Sequence, residues 1–178
     1  VQLFETERLF ARKLSHQDLS ALAEILSDPE VMEYSVRGVC DVAATKKFID
    51  WCVECYASRG IGPWALVKKD SGDLIGFCGV GPELVAGVEE TNLGYRLARK
   101  FWNQGFATEA AIGVLGYAFG QKKFSSVVVI IEQENGASVR VSEKAGFRHY
   151  TTLEFHGQSV RLYRMTCRDW SILHNKYG

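Results

Sequence analysis

The stretch Phe101-Trp102-Asn103-Gln104-Gly105-Phe106-Ala107-Thr108-Glu109-Ala110 decides how this chain is read. It follows an apolar strand pattern, carries a glycine at a turn, and enters a helical pattern at Ala107. A turn that feeds a helix N-terminus presents unpaired backbone N–H groups and the positive end of the helix dipole. That combination binds anions, phosphates above all. The same geometry also serves as an ordinary loop, so the turn alone leaves open whether a ligand is held and which one.

Downstream, the pattern predicts a helix over 107–119 whose Ala107, Ala110, Ala111, Val114 and Ala118 form a narrow stripe suited to lying close on a sheet. Residues 126–131 are a β-branched run without alternation, as in a strand buried on both faces. Asn135 then reads as the N-cap of a helix over 136–145 that stops at Gly146. Two strands, near 147–155 and 159–167, flank the turn His156-Gly157, and the tail from Asp169 suits a last helical turn.

Upstream, Leu9-Phe10-Ala11-Arg12-Lys13-Leu14 predicts a strand. Ser15 and Asp18 then form a capping box for a helix carrying Leu19, Leu22, Ala23 and Leu26, which Asp28-Pro29 ends. A second helix is expected over 42–58, closed by Gly60. Strands follow at 63–67 and 74–80 around a glycine turn, and at 91–98, where Leu93, Tyr95 and Leu97 share one face and Asn92, Gly94 and Arg96 the other. No repeat or linker interrupts this order, which predicts one mixed α/β layer with helices on both faces of a sheet.

Composition bounds the function. The 178 residues carry 21 basic and 21 acidic side chains and 47% apolar residues, so a single soluble domain over 1–178 is expected. With no net charge and no Lys/Arg run, nucleic acid is not an expected partner. No run approaches the roughly 20 apolar residues that span a bilayer, and Val1-Gln2-Leu3-Phe4-Glu5 lacks the regions of a signal peptide, so no membrane partner and a cytoplasmic location are expected. Five cysteines give no framework. Cys52 and Cys55 fall inside a predicted helix with no second pair to complete a zinc set, so buried free thiols are expected and no metal.

Familiar phosphate and nucleophile motifs are absent. There is no G-x-x-x-x-G-K-[ST] and no G-x-S-x-G. Gly76, Gly79 and Gly81 lie between strands with no helix after them, which reads as a bent strand. The four histidines are not at metal-ligand spacing.

What remains is recognisable. Gly94-Tyr95, Trp102-Asn103-Gln104-Gly105-Phe106-Ala107-Thr108-Glu109-Ala110, Asn135-Gly136-Ala137-Ser138 and Glu143-Lys144-Ala145-Gly146-Phe147 closely resemble the GNAT superfamily of acetyl-CoA-dependent N-acetyltransferases. Thr6-Glu7-Arg8-Leu9 and Asp28-Pro29-Glu30-Val31-Met32 resemble its ribosomal-protein N-terminal (alanine) acetyltransferase branch. The resemblance implies the GNAT fold, a mixed sheet of six to seven strands. It also implies acetyl-CoA as co-substrate and an amine acceptor, either a protein N-terminus or a small molecule, in a monomer or homodimer.

The family's phosphate turn reads Gln/Arg-x-x-Gly-x-Gly/Ala, and here Trp102 stands at its first position. The backbone N–H groups of Gln104, Gly105, Phe106, Ala107 and Thr108 are the expected pyrophosphate cradle, with the Glu109 side chain turned away. The resemblance gives Asn135 a pantetheine hydrogen bond, beside its reading as a plain N-cap. It makes Ser138 the candidate acid for the departing thiolate, with a solvated helix surface as the alternative for Ser138 and Ser142 alike. Many relatives place a Tyr acid on this helix, and none occurs here. Backbone N–H groups near Leu93 and Tyr95 are the expected oxyanion donors.

The acceptor needs a base. About one lysine amine in 2,500 is neutral at pH 7, against about one α-amine in seven. Deprotonating an α-amine is thus about 3.5 kcal/mol easier, and a carboxylate acting through water can suffice. Glu90, or Glu89, is the candidate base, with plain loop charges as the other reading; relatives often carry Glu where this chain has Asn92. The acceptor walls are expected from 31–58 and the hairpin after Phe155. A non-catalytic acyl-CoA-binding module on the same fold and a nucleotide-phosphate binder are the competing readings.

Overall fold

The computed structural model describes residues 2–175. Eight strands form one sheet in the order β1-β2-β3-β4-β5-β6-β8-β7, comprising β1 (Gln2–Glu5), β2 (Leu9–Lys13), β3 (Pro63–Lys68), β4 (Leu74–Val85), β5 (Val88–Leu97), β6 (Ser126–Glu132), β7 (His149–Phe155) and β8 (Gln158–Thr166). Every neighbouring pair is antiparallel except β5 and β6, which run parallel and share the single rung Asn92–Val128. Past that rung the two strands part, leaving backbone groups of β5 on that side without a strand partner. The sheet has one strand more than the expected six to seven. The addition is β1, an edge strand too short to carry a pattern.

Five helices cover the sheet: α1 (Leu19–Leu26), α2 (Val42–Arg59), α3 (Phe106–Leu115), α4 (Gly136–Lys144) and α5 (Cys167–His174). Consecutive β4 residues show which face each covers. Phe77 packs at a tilt against Phe48 of α2, ring centroids 4.9 Å apart. Cys78 lies opposite Trp64, whose ring meets Tyr117 beyond α3, on the other face. The capping box is present: Ser15 and Asp18 exchange backbone bonds, and Asp18 also takes a bidentate pair from Arg12 at 2.8 and 2.9 Å. Asp41 caps α2 and Gly60 ends it in a left-handed conformation.

The small-residue stripe of α3 is the side that meets the sheet; Ala110, Ala111 and Val114 are essentially inaccessible. Beyond Leu115 the helix widens into π-type turns over Gly116–Gln121, where the chain must fit Tyr117 and Phe119 against Trp64 and Trp170. In β6, Val127, Val128, Val129 and Ile131 are all buried, as the unalternating run implies. Cys52 and Cys55 are free and buried on α2, and desolvation pushes both thiols up, which leaves them inert.

The glycine-rich part of β4 is a strand, as expected. At Gly79 a Cβ would stand 2.2 Å from the Gly62 carbonyl oxygen and 2.7 Å from Pro63 Cα on β3. Neither backbone atom can yield without opening the sheet. Gly79→Ala is therefore expected to cost about 2 kcal/mol or more, seen as a melting temperature lower by roughly 4–8 °C for a chain of this size. An unchanged melting temperature would show that this close approach is not a constraint.

Candidate active site

Two cavities open on opposite sides of β5. The larger, about 670 Å³, runs between α3, α4, the C-terminal end of β5 and the segment 30–34. Tyr95, Gly105, Phe106, Ala107, Thr108, Asn135 and Ser138, named from the sequence as coenzyme contacts, all line it. The smaller, about 200 Å³, lies between β4, β5 and the region of α1 and α2. Tyr95 and Arg96 line both.

The floor of the large cleft is the turn into α3. Asn103 (φ 60°) and Gly105 (φ 82°) are both left-handed, and Gly105 sits at the helix N-cap without a side-chain cap. Left-handed residues in such a turn point successive N–H groups inward, and the helix dipole adds to their charge. Trp102 ties the turn back to β5 by donating its indole N–H to the Leu97 carbonyl at 2.9 Å. That bond accounts for a tryptophan at this position.

The N-terminal segment braces the turn from behind. Arg8 donates to the Gln104 carbonyl at 2.9 Å, pairs with Glu109 at 2.8 Å, and stacks 4.0 Å over the Phe106 ring. Glu109 also accepts from Thr6 Oγ1 at 2.5 Å and from the Arg8 backbone at 2.9 Å. Its carboxylate therefore faces away from the cleft. Burial alone would raise the Glu109 pKa, but the Thr6 and Arg8 hydrogen bonds outweigh it and hold the group below the usual carboxylate range. Asp28 and Glu30 likewise hold Arg99, just ahead of the turn, at 2.8 and 3.2 Å.

Gln104 gives its carbonyl to Arg8 and its side-chain amide to the Lys100 carbonyl, and does not line the cleft. Leu93 is core, 3% exposed, and does not line it either. Only its backbone lies beside the parting of β5 and β6.

Asn135 fills both roles that its position allows. Its Oδ1 accepts from the Ser138 N–H at 3.2 Å as an N-cap, and its Nδ2 keeps no protein partner among the described residues. Ser138 Oγ lies 2.9 Å from Tyr95 Oη. The phenol missing from α4 is thus supplied across the cleft by β5. Burial raises the Tyr95 pKa, only partly offset by the Ser138 bond, so the group stays protonated at neutral pH. Sequence reading placed Tyr95 on an apolar face and gave it no proton-transfer role; only the parting of β5 and β6 brings its hydroxyl to α4. Ser142 is buried at 3% exposure and lies outside the cleft.

Glu90 lies outside both cavities. Its carboxylate is paired with Arg164, Oε1 at 3.1 Å, and a second short bond joins Oε2 to the same guanidinium. Glu89 pairs with Arg59 at 2.9 Å, exposed. The carboxylate that does line the smaller cavity is Glu83, directly across the β4–β5 ladder from Glu90. It forms no ion pair among the described residues. Burial raises its pKa, partly offset by His156 and Arg37. Period-2 continuation from Gly79 through Gly81 reaches Glu83, a signal available had the strand been carried past Val80. Asn92 lines the same cavity, and its Oδ1 is buried with no hydrogen-bond partner. Leu26, Met32, Arg37, Phe48 and Trp51 wall the smaller cavity, all but Leu26 from within 31–58, whereas the hairpin after Phe155 contributes none of the lining.

Among the described residues no three His, Cys, Asp or Glu side chains gather as a metal site, and no helix is long and apolar enough to cross a membrane.

Comparison with known proteins agrees with this geometry. A family model described as an acetyltransferase (GNAT) domain matches residues 8–148. The uncharacterized protein YkkB of Bacillus subtilis (strain 168) is 30% identical over 159 residues, 89% of this chain and 92% of that protein. The crystal structure of a GNAT-family acetyltransferase from Bacillus anthracis superposes with a TM-score of 0.79 at 26% identity, covering 94% of this chain and 99% of that one. A structure described as AAC(6')-Ib in complex with Parmomycin and AcetylCoA shares the fold, with a TM-score of 0.78 at 15% identity over 97% and 99% of the two chains.

Proposed function

The chain belongs to the GNAT acetyltransferase family, and we propose that it moves an acetyl group from acetyl-CoA to a primary amine by direct attack in a ternary complex. The observation that carries this reading is the pair of cavities that meet at Tyr95 and Arg96, one suited to each substrate. The large cleft fits the coenzyme: a nest of backbone N–H groups at one end, a free Asn135 amide midway, and an unpaired strand edge at the other. When bound, acetyl-CoA supplies an activated acetyl group and a thiolate able to leave.

The residues divide the work. The N–H groups from Gly105 through Thr108 hold the pyrophosphate. Backbone N–H groups of β5 near Leu93 and Tyr95 take the charge that develops on the acetyl oxygen. Glu83 accepts the amine proton through water, a role that its free carboxylate suits and the Arg164-bound Glu90 does not. Tyr95, steadied by Ser138, gives a proton to the sulfur. One N–C bond forms and one C–S bond breaks. One proton passes from nitrogen to Glu83 and one from Tyr95 to sulfur, and solvent restores both.

The narrower assignment to ribosomal-protein N-termini rests on Thr6-Glu7-Arg8-Leu9 and Asp28-Pro29-Glu30-Val31-Met32. Both segments brace the coenzyme end, through Glu109 and Arg99. They bear on the donor, and the acceptor must be read from its own cavity.

The test is release of CoA thiol over a mixed panel of amines, with initial rates varied in both substrates. Intersecting lines are expected; saturable CoA binding with no turnover on any amine would sink the proposal. Tyr95→Phe is expected to lower kcat by about 10²-fold with little change in KM for acetyl-CoA, since it removes a proton donor and leaves the cradle intact. An unchanged kcat would remove Tyr95 from the mechanism.

A further inference from the structure

Resting on the acetyl-transfer reading above, we propose that the acceptor is an amino-acid-like molecule, a primary amine that also carries a carboxylate, with Arg37 and Arg96 as its anion anchor.

Both arginines line the small cavity. Arg8, Arg12, Arg59, Arg99 and Arg164 each pair with a carboxylate. Arg37 and Arg96 pair with none among the described residues; the same holds of Arg140, Arg148, Arg161 and Arg168, but none of those four lines the small cavity. Arg96 spends one of its five N–H donors on the Tyr95 carbonyl, at 2.7 Å. Arg37 stacks over Phe48, 5.4 Å to the ring centre. The two lie close enough that, after burial, Arg37 is among the groups disfavouring the charged form of Arg96. Arg96 is half-buried, Arg37 is exposed beside it, and Glu83, the acidic group of the same wall, forms an ion pair with neither; an anionic ligand relieves that excess of positive charge.

The amine has a matching place in the same cavity. Asn92 Oδ1 is a buried acceptor without a donor, and an ammonium or amine N–H satisfies it. Glu83 stands on the neighbouring strand as the other negative feature of the wall. Phe48, Trp51, Met32 and Phe77 supply an apolar side. At about 200 Å³ the space is small, on the scale of one amino-acid-sized molecule. A polyamine or other polycation brings its second charge against Arg37 and Arg96.

The experiment uses the purified full chain and pairs of acceptors: apolar amino acids against their carboxamides, with spermidine as the polycation. Amidation lowers the amine pKa, so chemistry alone favours the amides and cannot produce a preference for the acids. The expected result is kcat/KM at least about tenfold higher for the preferred acid than for its amide, with that ratio falling toward one in Arg37→Gln and Arg96→Gln through KM for the acid. Arg37 is exposed, so its variant stays informative if Arg96→Gln fails to fold. Amides or spermidine turned over as well as the acids, or a ratio unmoved in the variants that fold, would overturn the proposal. If no amine is acetylated although CoA binds, acetyl transfer itself fails. The anchor is then decided by thermal stabilisation of the CoA-loaded protein: N-acetyl amino acids stabilising more than their amides supports it, and equal stabilisation overturns it.

Discussion

Gly105→Glu is expected to raise the dissociation constant for CoA by at least about 100-fold while the protein still folds. Gly105 is left-handed (φ 82°), exposed, and stands at the uncapped start of α3. Any L side chain there is strained by about 1 kcal/mol, and its Cβ would lie 3.3 Å from the Arg8 guanidinium, a neighbour that can shift. Neither cost unfolds a chain of this size. The carboxylate, however, arrives where the proposed cradle would hold the pyrophosphate. Two unit charges about 4 Å apart near a protein surface repel by about 4 kcal/mol, which alone is close to three decades of affinity. Calorimetric titration of CoA decides the matter, with Gly105→Ala as the control that carries the strain without the charge. Unchanged affinity in Gly105→Glu would mean that the cradle is not where the coenzyme's phosphates bind.

The turn into α3 was legible in the sequence because its determinants are local. A glycine at a turn, a helical period beginning at Ala107 and an N-cap at Asn135 each act within a few residues, and each lies as expected. What braces the cradle was not legible. Arg8 and Glu109 are 101 residues apart in the chain, and no periodicity links them, so Thr6-Glu7-Arg8-Leu9 was readable only as a resemblance. Glu83 was not legible for a different reason. The β4–β5 hairpin turns at Ala86 (φ 49°) and Gly87 (φ 81°), and an alanine in a left-handed position hides the turn from a reader looking for Asn-Gly or Asp-Gly. With β4 stopped at Val80, Glu83 had no face. Glu90, beside the strand that was recognised, took its place as candidate base.

The exchange of Glu90 for Glu83 has opposite consequences for activity and stability, which makes it the sharpest test of the site. Glu83→Gln is expected to lower kcat/KM by about 10²–10³-fold, the usual weight of a general base. The pH profile should change with it. The Glu83 pKa is raised, by burial ahead of the partial offsets from His156 and Arg37, so the carboxylate loses its working, deprotonated form at a pH above the ordinary glutamate range. Below that point log kcat/KM should fall with slope two, one proton from the amine and one from Glu83; in Glu83→Gln the slope stays at one. The linkage runs against stability. A carboxylate whose folded pKa is raised binds its proton more tightly in the native state, so native stability is lost as pH rises from the ordinary value through the raised one. Gln removes that loss, and Glu83→Gln should melt slightly higher than the parent at pH 7. Glu90→Gln is the converse. It removes the partner of Arg164 from a partly exposed pair, for roughly 1 kcal/mol, and should keep activity within a few-fold. A Glu83 variant with parental kcat/KM, or a Glu90 variant that loses catalysis without losing stability, would return the base to Glu90.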